Sequence, residues 1–273
     1  MSSETATGRD RIAAAFERAR GQDRAALMPY MMAGFPDRET SLAVAAAYAE
    51  SGADLVELGV PFSDPLADGP TIHAAATAAL EAGATLATAL ETCRSLSERL
   101  PVVLMVYANM VLAHGGPEQF AAILAAAGAA GAIVPDLPLG ENDEVRAALA
   151  AEGLALVPLV APTTEPERRR DICERAEGFV YLVSTTGTTG ERAAVPTDLA
   201  ELAAATREDA GGTPVAVGFG ISSAEQAGEV ARIADGVIIG SRLVRAAGEA
   251  GSPQAAADAV GEFLSETRVS LAR

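Results

Sequence analysis

Along the chain, short runs that are apolar at nearly every position alternate with longer, alanine-rich segments whose apolar residues recur every three or four places. The short runs predict eight strands, at 26–33, 54–60, 101–107, 131–136, 154–160, 178–184, 213–220 and 235–241. Between them the longer segments predict helices. Residues 39–51 set Leu42, Ala45, Ala46 and Ala49 on one face, and 71–82 and 85–99 form a pair split at Gly83. Residues 117–128 open on a proline at a first helical position, and 141–152, 165–176, 197–210 and 222–234 follow. The last of these begins Ser-Ser-Ala-Glu, a capping box with Ser222 as the cap. A helix at 253–270 ends the series, and an extra one at 10–20 precedes the first strand.

Strands that alternate with helices predict a parallel sheet, because each crossover between parallel strands needs a helix. Eight such units predict closure into a (β/α)8 barrel, the TIM-barrel architecture, with an extra N-terminal helix. An open doubly wound sheet is the alternative. No stretch rich in Ser, Pro or charge divides the chain, so residues 1–273 are expected to form one domain.

Composition narrows the function. A chain with 49% hydrophobic and 21% charged residues is that of a soluble globular protein. Its formal charge of −17 argues against nucleic acid or an anionic membrane as the main partner, since either calls for a basic face. Cys93 and Cys173 lie far apart, as do His73 and His114, so neither metal-ligand spacing nor a Ser-His-Asp set can be assembled, and no metal is expected. No apolar run reaches membrane-spanning length and the first residues lack a signal-peptide core, which makes the cytoplasm the expected compartment.

The stretch VELGVPFSDPLADGPTIH, residues 56–73, departs from this pattern. Glu57 falls near the end of the second strand, facing opposite to Val56 and Leu58, and a carboxylate inside a barrel is costly unless it is paired or performs chemistry. No Lys or Arg falls in the eight strands, which weakens the reading of Glu57 as one half of a structural ion pair. Asp68 lies on the following loop, where a helix cap is the plain alternative to a catalytic role. Asp64, in Ser-Asp-Pro, reads as a turn residue. Pro61, Pro65 and Pro70 stiffen the loop. Such barrels place their chemistry at the C-terminal ends of the strands, and the turns after the seventh and eighth strands are their usual phosphate site. Here those turns read Gly218-Phe219-Gly220-Ile221-Ser222 and Gly240-Ser241, each before a helix, while a polar loop, 184–190, follows the sixth. Glycines and helix N-termini would let an acidic protein hold an anion through backbone N–H groups. The alternative is an ordinary tight turn at each place.

The same stretch closely resembles the signature of the tryptophan synthase α chain family. The likeness continues through Pro29-Tyr30-Met31-Met32-Ala33-Gly34, Leu104-Met105-Val106-Tyr107-Ala108-Asn109, Val134-Pro135-Asp136-Leu137-Pro138, Tyr181, Gly187-Thr188-Thr189-Gly190 and the two later glycine turns. Met32 and Phe35 depart from the residues frequent in the family. The resemblance implies retro-aldol cleavage of indole-3-glycerol phosphate to indole and glyceraldehyde 3-phosphate, a step of tryptophan biosynthesis. It implies Glu57 as general acid and base and Asp68 as the carboxylate that accepts the indole N–H. It also implies Tyr30, Met105, Ile133 and Tyr181 around the indole, with Tyr107 nearby. Gly190, Gly220, Gly240 and Ser241 would bind phosphate beside Phe219, and Thr189 would help hold Asp68. Ser63-Asp64-Pro65-Leu66 would face a β chain in an α2β2 tetramer. That partner, and not this chain, would carry pyridoxal phosphate and receive the indole. A stand-alone lyase that releases free indole would share every one of these residues.

Overall fold

Nine parallel strand segments and twelve helices follow one another in a computed structural model that describes residues 6–183, 198–218 and 220–273. The strands are β1 (Ala26–Met32), β2 (Val56–Gly59), β3 (Val102–Met105), β4 (Gly131–Ile133), β5 (Ala155–Leu156), β6 (Leu159–Val160), β7 (Val180–Val183), β8 (Val215–Gly218) and β9 (Gly236–Ile239). The helices are α1 (Gly8–Gly21), α2 (Arg38–Glu50), α3 (Pro70–Glu81), α4 (Leu86–Ser97), α5 (Ala108–Ala113), α6 (Gly116–Ala126), α7 (Asp143–Ala151), α8 (Pro166–Glu174), α9 (Leu199–Asp209), α10 (Ala224–Ala231), α11 (Ser241–Glu249) and α12 (Pro253–Ser270).

The sheet order is β5-β4-β3-β2-β1-β9-β8-β7-β6. Its two ends, β5 and β6, are consecutive pieces of one run. Val157 donates its N–H to Ala132 on one side, and Pro158 accepts the N–H of Tyr181 on the other. The ring therefore closes through this run, and the eight predicted strands become an eight-membered barrel whose fifth member is split. Proline at 158 lacks the N–H that an unbroken ladder needs.

Alternation along the strands separates two apolar layers. Val56, Leu58, Leu104, Leu182 and Val217 face outward and pack with the helices, whereas Met28, Leu55, Val103, Ile133, Val157, Tyr181, Ala216 and Ile238 face the interior. The predicted N-terminal helix plugs the bottom of the barrel: Ile12, Phe16 and Ala19 of α1 join the interior layer, with Phe16 against Phe179 at 5.7 Å between ring centroids. Small residues permit this seat. A Cβ on Gly8 would come within 2.4 Å of the Ala130 carbonyl, and one on Gly236 within 3.0 Å of the Phe16 ring. Arg11 fastens the same helix by donating to the carbonyls of Gly128 at 3.0 Å and Leu100 at 2.8 Å, and to that of Ser97. Beside it the buried pair Arg24–Asp54 closes at 2.5 and 2.7 Å, and Asp54 also accepts the N–H of Leu27.

Two local readings change. Ser223, not Ser222, caps α10, its hydroxyl accepting from Gln226 N–H at 3.2 Å, while the Gln226 side chain accepts from Ser222 N–H at 2.8 Å. The predicted capping box does not form: the Gln226 side chain reaches past the N-cap to the residue before it. Helix α5 is too short to announce itself by periodicity; Asp136 holds its start, accepting the Ala108 N–H at 2.9 Å.

Candidate active site

Glu57 sits in β2 between Tyr30 of β1 and Val103 of β3 in register. Its side chain is wholly buried, and neither carboxyl oxygen meets a hydrogen-bond partner among the described residues. Burial pushes its pKa up to about 8, so the site holds a neutral carboxylic acid at neutral pH. The alternative of a structural ion pair fails among these residues.

Two tyrosines frame it. The phenols of Tyr30 and Tyr181 are held protonated, first by burial and then by the fields of both Glu57 and Asp68, which places all four groups around one space. Each phenol crosses a neighbouring strand at a glycine. A Cβ on Gly59 would lie 2.0 Å from the Tyr30 hydroxyl, and one on Gly218 would lie 2.4 Å from that of Tyr181. These glycines are therefore part of the site, and the sequence marks them only as strand residues without side chains.

Asp68 hangs from the proline-stiffened loop just before α3, whose N-cap is Gly69 and whose first residue is Pro70. Burial raises its pKa, and a hydrogen bond from the Tyr107 hydroxyl lowers it, as does the charge of His73. The same hydroxyl accepts the Ala67 N–H at 3.2 Å, and the Tyr107 ring stacks on Phe62 at 5.1 Å. Tyr107 thus holds the loop at both ends of its Phe62–Asp68 segment. Asp64 stays at the exposed turn, bonded to Ser63 at 2.5 Å.

A cavity of about 210 Å³ opens between these groups at the C-terminal ends of the strands. Tyr30, Glu57, Asp68, Met105, Tyr181, Gly220, Gly240 and Ser241, all singled out from the sequence, line it. Ile133 does not: it lies fully buried in the interior layer below, and Tyr107 stands behind Asp68 instead of on the wall. Thr189, Gly190 and Phe219 fall outside the described residues. Ala67, Ile72, Pro135, Leu159, Val183, Ile221 and Ile238 complete the wall. Most are aliphatic residues near strand ends, and sequence patterning cannot tell them from core.

One end of the cavity is suited to an anion. Gly220 adopts φ +79°, which favours glycine, and Gly240 opens α11 with no side-chain cap, so the first-turn N–H groups of that helix lie beside Ser241. No arginine is on the wall among the described residues. An acid, a hydrogen-bonded carboxylate, an apolar slot and backbone donors thus converge at the barrel mouth.

Residues 16–270 match the family described as tryptophan synthase alpha chain. This chain belongs to that family. It is 49% identical over 252 residues to the tryptophan synthase alpha chain of Gloeobacter violaceus, covering 90% of this chain and 88% of that one. With the alpha chain of Prochlorococcus marinus it shares 46% over 260 residues, covering 94% of each. Among solved structures, Mycobacterium tuberculosis tryptophan synthase superposes with a TM-score of 0.89 at 38% identity, over 98% of this chain and 100% of that one. The alpha subunit from Legionella pneumophila gives 0.83 at 35%, over 96% and 98%. The barrel predicted from the alternation of strands and helices is thus the fold of the family. Among the described residues no helix is long and apolar enough to cross a membrane, and no three His, Cys, Asp or Glu side chains gather to hold a metal ion.

Proposed function

We propose that this chain, as one barrel domain spanning residues 1–273, cleaves indole-3-glycerol phosphate to indole and glyceraldehyde 3-phosphate. Support comes first from one observation: the neutral, unpartnered Glu57 and the hydrogen-bonded Asp68 face the same apolar cavity, whose far end presents backbone donors.

The chemistry follows from those groups. The bond from indole C3 to the glycerol side chain breaks only after C3 becomes tetrahedral, which requires a proton there. Glu57 gives that proton. The side-chain hydroxyl then loses its proton to the Glu57 carboxylate as the aldehyde forms. The electron pair of the broken bond returns to the ring, and Glu57 ends as it began. While C3 is protonated, positive charge sits on the ring, and Asp68 steadies it by accepting the indole N–H. Tyr30, Met105 and Tyr181 hold the ring, with Ile133 supporting them from below. Gly190, Gly220, Gly240 and Ser241 hold the phosphate beside Phe219, and Thr189 braces Asp68. The sequence contains no lysine, so a Schiff base to a lysine of this chain is not an available route. Proton transfer and a hydrogen bond are all the step asks of the protein, with pyridoxal phosphate left to a β chain.

That β chain is the proposed partner, in an α2β2 tetramer in the cytoplasm. The tip of the stiffened loop supports a contact there, with Leu66 82% exposed. The deciding experiment is indole release from indole-3-glycerol phosphate by the purified chain, with and without a tryptophan synthase beta chain. Slow release that rises with the partner is the expected result. Fast release with no rise would indicate a stand-alone lyase, and none in either case would overturn the reading.

A further inference from the structure

A second cleft of about 380 Å³ lies behind the first, between α7 and α8. Helix α7 packs on α6 and α8 packs on α9, and the cleft separates the two pairs. Its floor is apolar, with Leu137, Leu156 and Ile172, and its rim carries Arg146, Arg168 and Arg175 against one acid, Glu165. Asp143 pairs with Arg146 at 3.0 Å and with Arg175 at 3.6 Å, while Arg168 donates to the Leu139 carbonyl at 2.6 Å. Those contacts leave donors over. Among the described residues the Arg146 Nε is buried with no partner, and so is the Asn142 Oδ1. Asn142 occupies the N-cap of α7 yet makes no side-chain cap bond, although asparagine there ordinarily does. Asn142 lines the cleft, and its amide can serve there as donor or acceptor.

Buried polar groups without partners are costly, and a planar guanidinium matches a carboxylate or phosphate. In a chain of charge −17, three arginines against Glu165 and Asp143 leave a local excess of positive charge around an apolar floor. The cleft has the size and lining of a small-molecule site. We propose that it binds a small molecule joining an apolar body to a carboxylate or phosphate. Pro135 and Leu159 line both this cleft and the substrate cavity, so an occupant here would touch the back of the catalytic wall.

The test is calorimetric titration of the full chain with 3-phenylpropionate and with phenyl phosphate, using 3-phenylpropionamide as the neutral counterpart. At least one anion should bind saturably, the amide should bind at least about tenfold more weakly, and Arg146→Gln and Arg168→Gln should each weaken the anion about tenfold, as loss of a charge-assisted pair does. Circular dichroism of both variants confirms the fold, and Asp68→Asn should leave the affinity unchanged. Three results would each overturn the proposal: no saturable binding, equal binding of the amide, or binding that survives both arginine changes and so belongs to the substrate cavity.

Discussion

A buried carboxyl that meets no donor is harmless to the fold only while it keeps its proton. The folded pKa of Glu57, about 8, lies above the ordinary 4.5, so its contribution to stability is complete below the lower value and lost as pH rises through the higher one. At 1.36 kcal/mol per pH unit, that amounts to on the order of a few kcal/mol. Glu57→Gln should therefore unfold in urea at a higher midpoint than the parent above about pH 8 and converge with it in acid; equal midpoints throughout would contradict this. The same variant should lose about 10²–10⁴-fold in indole release, and the parent's turnover should decline above about pH 8 as the proton is lost. Tyr107→Phe tests the second carboxyl. Without the phenol, Asp68 loses the bond that lowers its pKa, so the acidic limb of kcat/KM should move to higher pH; an unmoved limb would show that the bond is idle. Glu57 and Asp68 were legible in the sequence because charge interrupts an apolar run. Tyr107's grip on Asp68 was not, since it depends on the pairing of β2 with β3, which sets their ends side by side.

Among the elements, α1 was foreseen as an extra helix, but its purpose was not, because nothing in its own pattern says which opening it fills. Phe16→Ala should cost about 3–5 kcal/mol by denaturant titration, as truncation of a core phenylalanine does, while KM in the folded protein stays unchanged. Gly59→Ala asks the converse question of the catalytic end. A methyl there meets the Tyr30 hydroxyl at 2.0 Å, so the ring must shift from its place in the cavity wall, and indole release should fall with β2 otherwise intact. Unchanged activity would show that Tyr30 has room to spare. Strand boundaries were read up to three residues too long at an end because apolar runs extend into the turns, and the fifth strand was read whole because a Pro after Val157 does not by itself reveal which neighbour each half joins.

Over the whole molecule, the alternation of strands and helices was enough to give the barrel, since few other folds return a parallel strand to its neighbour eight times. The site was half legible: its charged and glycine residues stood out, and its aliphatic wall did not. Net charge has a consequence of its own. A chain of −17 repels an anionic substrate at long range, so kcat/KM for indole-3-glycerol phosphate should rise as salt is added from low ionic strength, where the screening length is long. A fall would indicate that a local positive field governs approach instead.

The split fifth strand gives the ring a clasp. Elsewhere each strand shares a ladder with both neighbours, whereas 155–156 hold only β4 and 159–160 hold only β7. The amides of 155–157, 159 and 160 should take up deuterium well before those of β2 and β3, because each half of this member is held by a ladder on one side only. Since Val157 and Pro158 carry the chain straight across the clasp, the circle loosens there without parting, and the catalytic carboxyls, on β2 and the loop after it, stay together.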